Sequence, residues 1–458
     1  MMNKTLSSWQ RQARRLVRQM SRQAARRLFA ALPSVLRFGV YRRAMNFAPA
    51  QGGTLELKIA DTQAELEQCF ALLHDAYVAS GFMRPHASGL RVTPYHALPT
   101  TTTLCAKLDG QVVGTLSIVR EGVFGFPMQT AFDISTVRAK EGRIAEISAL
   151  AVHPRYRKTG GSVLFPLMKF MYGYCTDYFD TRHLLIAVNP NHIEMYESLL
   201  FFQRLQAQAV DSYDFANGAP AVGATLDLHE APAIFERAYG HKPGHRNLHR
   251  YFCHTELPAI QFPPRPWHLS NDPVLTPALM DHFFNRRTQG FEGLDERKRL
   301  LLHSLYPGAA WATVLPPLSP QPQGAPGASG AALRAHPRFS MKCPASMNAG
   351  GWPNRLRATI VEISRTGFMA RLLRPLQVGM RCEVLAELGD GVRACVQAHV
   401  VREVNSSAGQ FYGFQVDHSD EAWQRCVAWL EGADARPAAA TATDPRTADL
   451  KQDALLPA

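Results

Sequence analysis

Apolar and polar positions alternate with two different periods between residues 55 and 228. Apolar residues at every second position predict strands, and apolar residues three and four apart predict helices. The strands fall at 55–60, 104–108, 112–119, 145–152 and 184–188, and the helices at 62–80, 161–178 and 191–200. Asp109-Gly110 is typical of a hairpin turn, and the Pro-, Gly- and Thr-rich residues 82–103 predict a long ordered loop. This alternation predicts an α/β or α+β core with at least one parallel strand pair.

The rest of the chain divides by composition. Helical patterns over 231–239, 277–286 and 295–305 predict a helical extension at 229–315, and the Pro- and Gly-rich residues 316–332 are typical of a linker. Residues 333–432 contain short strands, among them 357–363, 381–388 and 393–404, and close with a helix over 420–430. This pattern predicts a small β-barrel or sandwich. Residues 433–458, rich in Ala, Thr and Asp, are expected to be disordered.

Positive charge is concentrated in a leader, residues 1–54. Lys4 and ten arginines contribute +11 of the net +12, because no acidic residue precedes Glu56. From Trp9 to Leu32, apolar residues recur three and four apart opposite the arginines, which predicts an amphipathic helix ending at Pro33. Residues 1–45 therefore suit an anionic membrane surface or an acidic protein partner. A mitochondrial targeting peptide and a leader without a dedicated role are the alternatives.

Composition argues against several classes of protein. No run of 18 or more uncharged apolar residues occurs, so an ordinary transmembrane helix is not predicted. The eight cysteines form no Cys-x-x-Cys pair, which disfavours a disulfide scaffold or a metal site and favours a reducing compartment. Because the positive charge is confined to the leader, we expect no nucleic-acid partner. The expected location is cytoplasmic, with peripheral attachment to the inner membrane.

A basic, Gly-containing turn joins the strand at 145–152 to the next helix. Arg157, Gly160 and Ser162 fit the spacing R-x-x-G-x-small. Glycines let backbone N–H groups approach a pyrophosphate, the helix N-terminus adds partial positive charge, and arginine adds a cationic clamp. A second segment, VNPNHIEMYESLLFF at 188–202, follows another predicted strand.

These two segments resemble motifs A and B of the GNAT acyltransferases. The segments GTLSIV at 114–119, GFPM at 125–128, RIAEISALAV at 143–152 and AVNPNH at 187–192 are similar to bacterial long-chain N-acyl amino acid synthases, relatives of the acyl-homoserine lactone synthases. The resemblance covers residues 55–228 and implies an α+β fold with a GNAT-like mixed sheet flanked by helices. One departure is Phe201-Phe202, where the family usually has Gly-Phe.

The resemblance implies a function as well as a fold. A long fatty acyl group would pass from acyl carrier protein, or else from acyl-coenzyme A, to the α-amine of an amino acid, with no other cofactor required. The basic loop Arg155-Tyr156-Arg157-Lys158 would face the acidic carrier protein and its phosphopantetheine. Arg84, Arg91 and His96 are candidates for binding the acceptor carboxylate.

Amine attack on a thioester requires a base, an oxyanion donor and an acid. Glu146 is the predicted base, with loop anchoring as its alternative role, and His153 and His192 are alternative bases. Tyr196 is the predicted acid, with core packing as its alternative. Backbone N–H groups near 150–152 would stabilise the oxyanion. The residues predicted to hold the donor are Leu150, Val152, Arg157, Lys158, Gly160, Gly161, Ser162 and Asn191, and Asn191 also suits a helix N-cap.

A second constellation lies at the start of the predicted barrel. Arg334 and Arg338 fit R-x-x-x-R, and Glu362, Ser364 and Gly367 follow in the order E-x-S-x-x-G. The pair resembles the two motifs of the PilZ domain, over residues 333–432, although that family has Asp or Asn where Glu362 stands. The resemblance implies binding of cyclic di-GMP, with arginines on phosphates and guanines. A PilZ module used only for protein contacts is the alternative.

Three functions are compatible with these motifs. The first is a long-chain N-acyl amino acid synthase regulated by cyclic di-GMP. The second is a catalytically inactive GNAT-like body that serves as a cyclic di-GMP effector. The third is a short-chain N-acetyltransferase that uses acetyl-coenzyme A.

Overall fold

The computed structural model describes most of the chain between residues 32 and 432. The described residues are 32–45, 47, 55–157, 159–265, 267–272, 274–306, 308–319, 336–349, 355–372, 374–406 and 409–432. The predicted leader helix up to Ala31, most of the predicted linker and the predicted disordered tail lie outside them, as do Lys158 and Arg334.

A mixed sheet forms the first part of the fold, with strand order β1-β2-β3-β4-β5-β8-β6 and β7 paired with β8. Its strands are β1 (Leu55–Ile59), β2 (Thr101–Leu108), β3 (Gln111–Arg120), β4 (Arg143–Val152), β5 (Thr181–Val188), β6 (Gln203–Arg204), β7 (Val210–Tyr213) and β8 (Ala219–Asp227). The pair β4–β5 is parallel and the other neighbours are antiparallel. The predicted parallel pair and hairpin are thus confirmed.

Ten α-helices occur in the described residues. They are α1 (Ser34–Ala44), α2 (Gln63–Ala79), α3 (Ser135–Arg138), α4 (Leu164–Gly173), α5 (Pro190–Leu200), α6 (Ala231–Tyr239), α7 (Pro277–Met280), α8 (Glu296–Leu305), α9 (Ala309–Ala312) and α10 (Glu421–Gly432). Wider π-helical turns cover Tyr174–Tyr178, Arg250–His254 and Asp281–Arg287. No helix of the described residues is long and apolar enough to span a bilayer.

Several elements differ from the sequence-based expectation: strands β6, β7 and β8 were not predicted, and two elements begin earlier or later than predicted for clear local reasons. Strand β2 begins at Thr101 rather than at residue 104, because the threonines at 101–103 are buried and pair with β3. Helix α4 begins at Leu164 rather than at residue 161. Gly160 and Gly161 have φ of +64° and +78°, in the left-handed region that an α-helix cannot use.

The two faces of the sheet are covered by different helices. Alternate residues of β2 point to opposite sides: Leu104 packs with α4, whereas Cys105 packs with α2. The N-cap of α2 is Thr62, whose hydroxyl accepts the Glu65 N–H at 3.2 Å, as is typical of a threonine directly before a helix.

The second part is a closed antiparallel barrel with strand order β10-β11-β14-β13-β12-β9. Its strands are β9 (Phe339–Ala349), β10 (Leu356–Ile363), β11 (Gly367–Leu372), β12 (Arg381–Gly389), β13 (Val392–Ser406) and β14 (Gly409–Ser419). Helix α10 buries Trp423 and Cys426 in the barrel core, so the predicted barrel with a closing helix is confirmed.

A short connecting segment, residues 267–272, lies between the sheet and the barrel and contacts both. Ser270 N–H donates to the carbonyl of Ser340 on β9 at 3.0 Å, and Leu269 forms an antiparallel bridge with Met341. The Trp267 ring lies 6.4 Å from that of Trp429 on α10. This connecting segment therefore pairs with the barrel like an added strand.

Candidate active site

Strands β4 and β5 separate in the middle of the sheet. Their ladder ends at the pair Glu146–Leu185, and no later pair joins them in the described part of the chain. On its other edge β4 carries a bulge, where Ala149 and Leu150 stand opposite the single residue Leu116, and Ala149 has a φ of +53°. A bulge bends its strand. Consequently the β4 edge that faces β5 over residues 147–152 is open to a ligand.

A cavity of about 430 Å³ fills this gap, which is within the range of small-molecule sites. Glu146, Tyr77 and Tyr213 line it where it meets one face of the sheet. Its walls are otherwise mainly apolar, with aliphatic and aromatic side chains from β4, β5, α4 and α5. The cavity can therefore hold a mostly apolar ligand beside one carboxyl group.

Glu146 is the carboxyl group of this cavity. It is 1% exposed, and its Oε2 accepts the Met128 N–H at 3.0 Å. Burial raises its pKa to about 8, against the opposing effect of that hydrogen bond. A carboxyl group with this pKa can accept a proton near neutral pH, as a general base must.

Tyr196 on α5 also lines the cavity. Burial raises its pKa to about 12, so the phenol stays protonated at neutral pH and can act as a proton donor. Its ring also packs edge-on against the Phe202 ring, with 5.9 Å between the ring centres. Tyr196 therefore also has the alternative role, packing in the core. The catalytic role of Tyr196 remains a prediction.

The predicted donor residues fall into two groups. Leu150, Val152 and Arg157 line the cavity, and Arg157 Nε donates to the Val152 carbonyl at 2.8 Å. Four more of the predicted donor-binding residues are described by the structure but do not line the cavity: Gly160, Gly161, Ser162 and Asn191. Gly160 and Gly161 form a left-handed turn before α4, and a Cβ at Gly161 would collide with the Phe165 ring.

Asn191 is not the N-cap of α5. The cap is Asn189, whose Oδ1 accepts the Asn191 N–H at 3.0 Å, because Pro190 begins the helix one residue earlier than predicted. Asn189 and His192 line the cavity, and Asn191 is exposed. Asn189 and His192 are therefore the two residues of this turn that could contact the acyl donor.

The sequence alone did not indicate the roles of several residues near the cavity. Met128 lies in the segment GFPM, which resembles the N-acyl amino acid synthases. The sequence did not indicate that the Met128 N–H donates to Glu146. Tyr213 is 4% exposed and lines the cavity, and its buried hydroxyl has no hydrogen-bond partner among the described residues. Phe201, already noted in the sequence, has a φ of +61°, a left-handed conformation that glycine adopts more readily than phenylalanine.

The second constellation gathers at one end of the barrel. Arg338 Nη1 lies 3.0 Å from Glu362 Oε2, and Ser364 Oγ donates to the Gly367 carbonyl at 2.9 Å. A Cβ at Gly367 would collide with the Phe414 carbonyl on β14. This glycine is therefore required by packing, whether or not a ligand binds.

No set of three His, Cys, Asp or Glu side chains in the described ranges is arranged to hold a metal ion.

The family model of the N-acyl amino acid synthase FeeM matches residues 68–227. This part of the chain is a FeeM-type N-acyl amino acid synthase domain. The PilZ family model matches residues 332–432, so the barrel is a PilZ domain. The predicted N-acyltransferase class, GNAT-like sheet and PilZ barrel are confirmed. No curated protein matches the chain.

Three solved structures are similar to parts of the chain. FeeM from uncultured soil microbes is 22% identical over 40% of this chain and 95% of its own, with a TM-score of 0.34. The CoA-dependent acyl-homoserine lactone synthase BjaI is 20% identical over 41% and 90%, with a TM-score of 0.31. The Bacillus subtilis inhibitor of motility MotI/DgrA is 16% identical over 22% and 52%, with a TM-score of 0.20.

Proposed function

We propose that the FeeM-type domain transfers a long-chain acyl group from a thioester to the α-amine of a free amino acid. The observation that carries this proposal is the cavity, in which mainly apolar walls surround one buried carboxyl group with a pKa of about 8. The presence of a general base favours an active enzyme over an inactive GNAT-like domain, and the volume and apolar lining of the cavity favour an acyl chain longer than acetyl.

The reaction is a nucleophilic acyl substitution. Glu146 takes a proton from the α-ammonium, and the amine attacks the thioester carbonyl. Backbone N–H groups on the open edge of β4, near Leu150–Val152, donate to the oxyanion of the tetrahedral intermediate. The C–N bond then replaces the C–S bond, Tyr196 protonates the departing thiolate, and the Tyr196 phenolate takes back a proton from the nitrogen that has become the amide.

The positively charged Arg91 lies near Tyr213, although Arg91 does not line the cavity itself. The Arg91 guanidinium stacks 4.0 Å from the centre of the Tyr77 ring and donates to the Phe215 carbonyl at 2.7 Å. No carboxylate of the described residues forms an ion pair with Arg91. Burial lowers its pKa. The unpartnered Tyr213 hydroxyl and this positive charge would together receive the α-carboxylate of an amino acid.

Replacing Tyr213 with Phe tests this acceptor site. Losing a hydrogen bond to a charged group should raise the KM for the amino acid about tenfold or more. The KM for the acyl donor should stay within twofold, because the donor enters past Arg157. Steady-state kinetics with each substrate varied in turn measures both constants.

Tyr95→Phe is the matched control. Tyr95 is also near Glu146, whose charge together with burial raises the pKa of that phenol to about 12, but Tyr95 does not line the cavity. Equal changes in the two KM values for Tyr213→Phe, or the same change in both variants, would contradict the assignment.

The donor is proposed to be acyl carrier protein in preference to acyl-coenzyme A. Arg155 and Arg157 are exposed beside the donor end of the cavity, where an acidic carrier protein would dock. Purified full-length chain would be incubated with either donor and each of the twenty amino acids. Mass spectrometry should detect acyl amino acids, faster from the carrier protein. Absence of product from every combination would refute the proposed function.

The PilZ domain is proposed to bind cyclic di-GMP and to change the rate of acyl transfer. Arg338 directly precedes β9, whose Ser340 accepts the Ser270 N–H of the connecting segment at 3.0 Å. Lys342 on β9 pairs with Asp180 at 2.9 Å, and Arg371 on β11 lies 3.6 Å from Glu141. The nucleotide motifs are therefore within a few residues of contacts to the acyltransferase sheet.

Arg338→Ala should weaken cyclic di-GMP binding at least tenfold, since it removes a guanidinium that contacts phosphate or guanine. Isothermal titration calorimetry measures the Kd, and any response of the acyl-transfer rate to the nucleotide should disappear with binding. Arg357→Ala on β10, exposed but outside the motif, is the control. Nucleotide binding that leaves the rate of the unmodified chain unchanged would refute regulation.

The leader is proposed to attach the chain to anionic membranes. Within its described part, α1 exposes Val35, Leu36 and Val40 by 77%, 56% and 48%, while Arg37 anchors the helix to Glu194 at 2.7 Å. Co-sedimentation with anionic but not neutral lipid vesicles is expected, and the double change Leu36→Glu with Val40→Glu should reduce it. Val378→Glu, at another exposed apolar residue, is the control. Equal binding to both kinds of vesicle would refute the proposal.

A further inference from the structure

The cavity passes through the sheet from one face to the other. Ala187 on β5 packs with the cluster of Met128 and Tyr213, on the face that carries Glu146. Its neighbour Ile186 packs with α4 on the opposite face. Both side chains line the same cavity, so the cavity crosses the sheet where β4 and β5 separate.

Aromatic rings lie where the cavity reaches the α4 side. Phe235 on α6 and Phe252 in the turn Arg250–His254 both line the cavity, with ring centres 5.9 Å apart and nearly parallel planes. Tyr172 on α4 lies edge-on to Phe252 at 6.1 Å and also lines the cavity. We refer to Phe235, Phe252 and Tyr172 as the aromatic cap.

The aromatic cap closes the cavity against solvent. Phe235 and Phe252 are each 4% exposed. The backbone of Phe252 is held by the Lys169 ammonium, which donates to its carbonyl. Two of the three rings come from α6 and the turn after it, which follow the stretch 68–227 that matches the FeeM model. This end of the cavity is therefore built largely by a segment beyond the matched domain.

We propose that the aromatic cap limits the length of the acyl chain that the enzyme accepts, by contacting the methyl end of a saturated fatty acyl group. The proposal rests on the proposed function. The thioester carbonyl must lie beside Glu146 and the open edge of β4, and from there the acyl chain can extend through the sheet towards the cap. A chain too long for this distance would collide with the Phe235 and Phe252 rings.

The expected effect follows from the affinity gained for each buried methylene, which is about fourfold. Phe252→Ala removes a ring and makes room for several methylene groups. The ratio of kcat/KM for a sixteen-carbon donor to that for a twelve-carbon donor should therefore rise about tenfold or more. Phe235→Ala should act in the same direction.

Ala231→Leu should act in the opposite direction. Ala231 begins α6, is 1% exposed and lines the cavity, so a larger side chain there shortens the available space. Phe291→Ala is the control, since Phe291 is buried against Phe284 at 4.8 Å and does not line the cavity. Thermal unfolding of each full-length variant would show that it is folded.

The experiment is a competition among saturated acyl donors from eight to eighteen carbons, with product lengths measured by mass spectrometry. A shift to longer products for Phe252→Ala and to shorter ones for Ala231→Leu, with no shift for Phe291→Ala, is the expected result. Folded, active variants with unchanged product lengths would overturn the role of the aromatic cap and leave the proposed function standing. If the unmodified chain makes no acyl amino acid, the proposed function fails instead.

Discussion

Glu146→Gln should lower kcat for acyl transfer at least about a hundredfold, with little effect on the KM of either substrate. General base catalysis contributes about 10²–10⁴-fold, and Gln cannot accept the proton of the α-ammonium. The amide oxygen of Gln can still accept the Met128 N–H, so the surrounding structure should be preserved. Steady-state rates and circular dichroism of both proteins measure the two effects.

The pH dependence provides an independent test. Since burial raises the pKa of Glu146 to about 8, the rate of the unmodified enzyme should increase with pH and level off above about 8. This inflection should be absent from the Gln variant. Glu121→Gln, at an exposed glutamate paired with Arg138, should keep it. An unchanged rate and pH profile in Glu146→Gln would show that Glu146 only anchors the Met128 loop.

The same pKa predicts an effect on stability. In the unfolded chain the carboxyl group loses its proton near pH 4.5, whereas in the folded chain it keeps the proton up to about pH 8. Unfolding therefore releases a proton between these values, and the free energy of unfolding should fall as pH rises through this window. Glu146→Gln should lose this contribution. Denaturant unfolding of both proteins at pH 5 and pH 8 measures the difference.

Asp272→Asn should destabilise the chain by about 3–5 kcal/mol, because it leaves two buried arginines without their counter-charge. Asp272 pairs with Arg265 at 2.6 Å, and it accepts hydrogen bonds from Tyr174 at 2.8 Å and Thr102 at 3.1 Å. Arg120 is 9% exposed, and burial lowers its pKa to about 10 against the opposing charge of Asp272.

Thermal unfolding measures this destabilisation, with an expected decrease in Tm of about 10 °C. Glu383→Gln breaks the exposed pair with Arg355 and should change Tm by less than a few degrees. Arg120 also donates to the Ser270 carbonyl and Arg265 to that of Leu269, so Asp272→Asn should loosen the connecting segment as well. Equal Tm values for the two variants would mean that the network does not stabilise the fold.

The elements and motifs that depend on neighbouring residues were predictable from the sequence. The Thr62 cap, the Asp109-Gly110 hairpin and the Gly160-Gly161 turn depend on side-chain and backbone geometry within a few positions. Such interactions are set by local spacing, so a single sequence contains the information. The position of Glu146 on a strand next to the donor turn followed in the same way.

The tertiary structure alone decided which distant residues share a site. Tyr213 and Arg91 lie far from Glu146 in the chain, and the aromatic cap combines Tyr172 with two rings that lie more than 60 positions further along the chain. Asp272 meets Thr102 across 170 positions, and nothing in the local pattern of either residue indicates the other. Pattern and spacing determined the kind of chemistry and the elements that carry it. Packing of strands and helices distant in sequence determined the depth of the cavity, the pKa of its carboxyl group and the junction with the barrel, because burial depends on every element that surrounds a side chain.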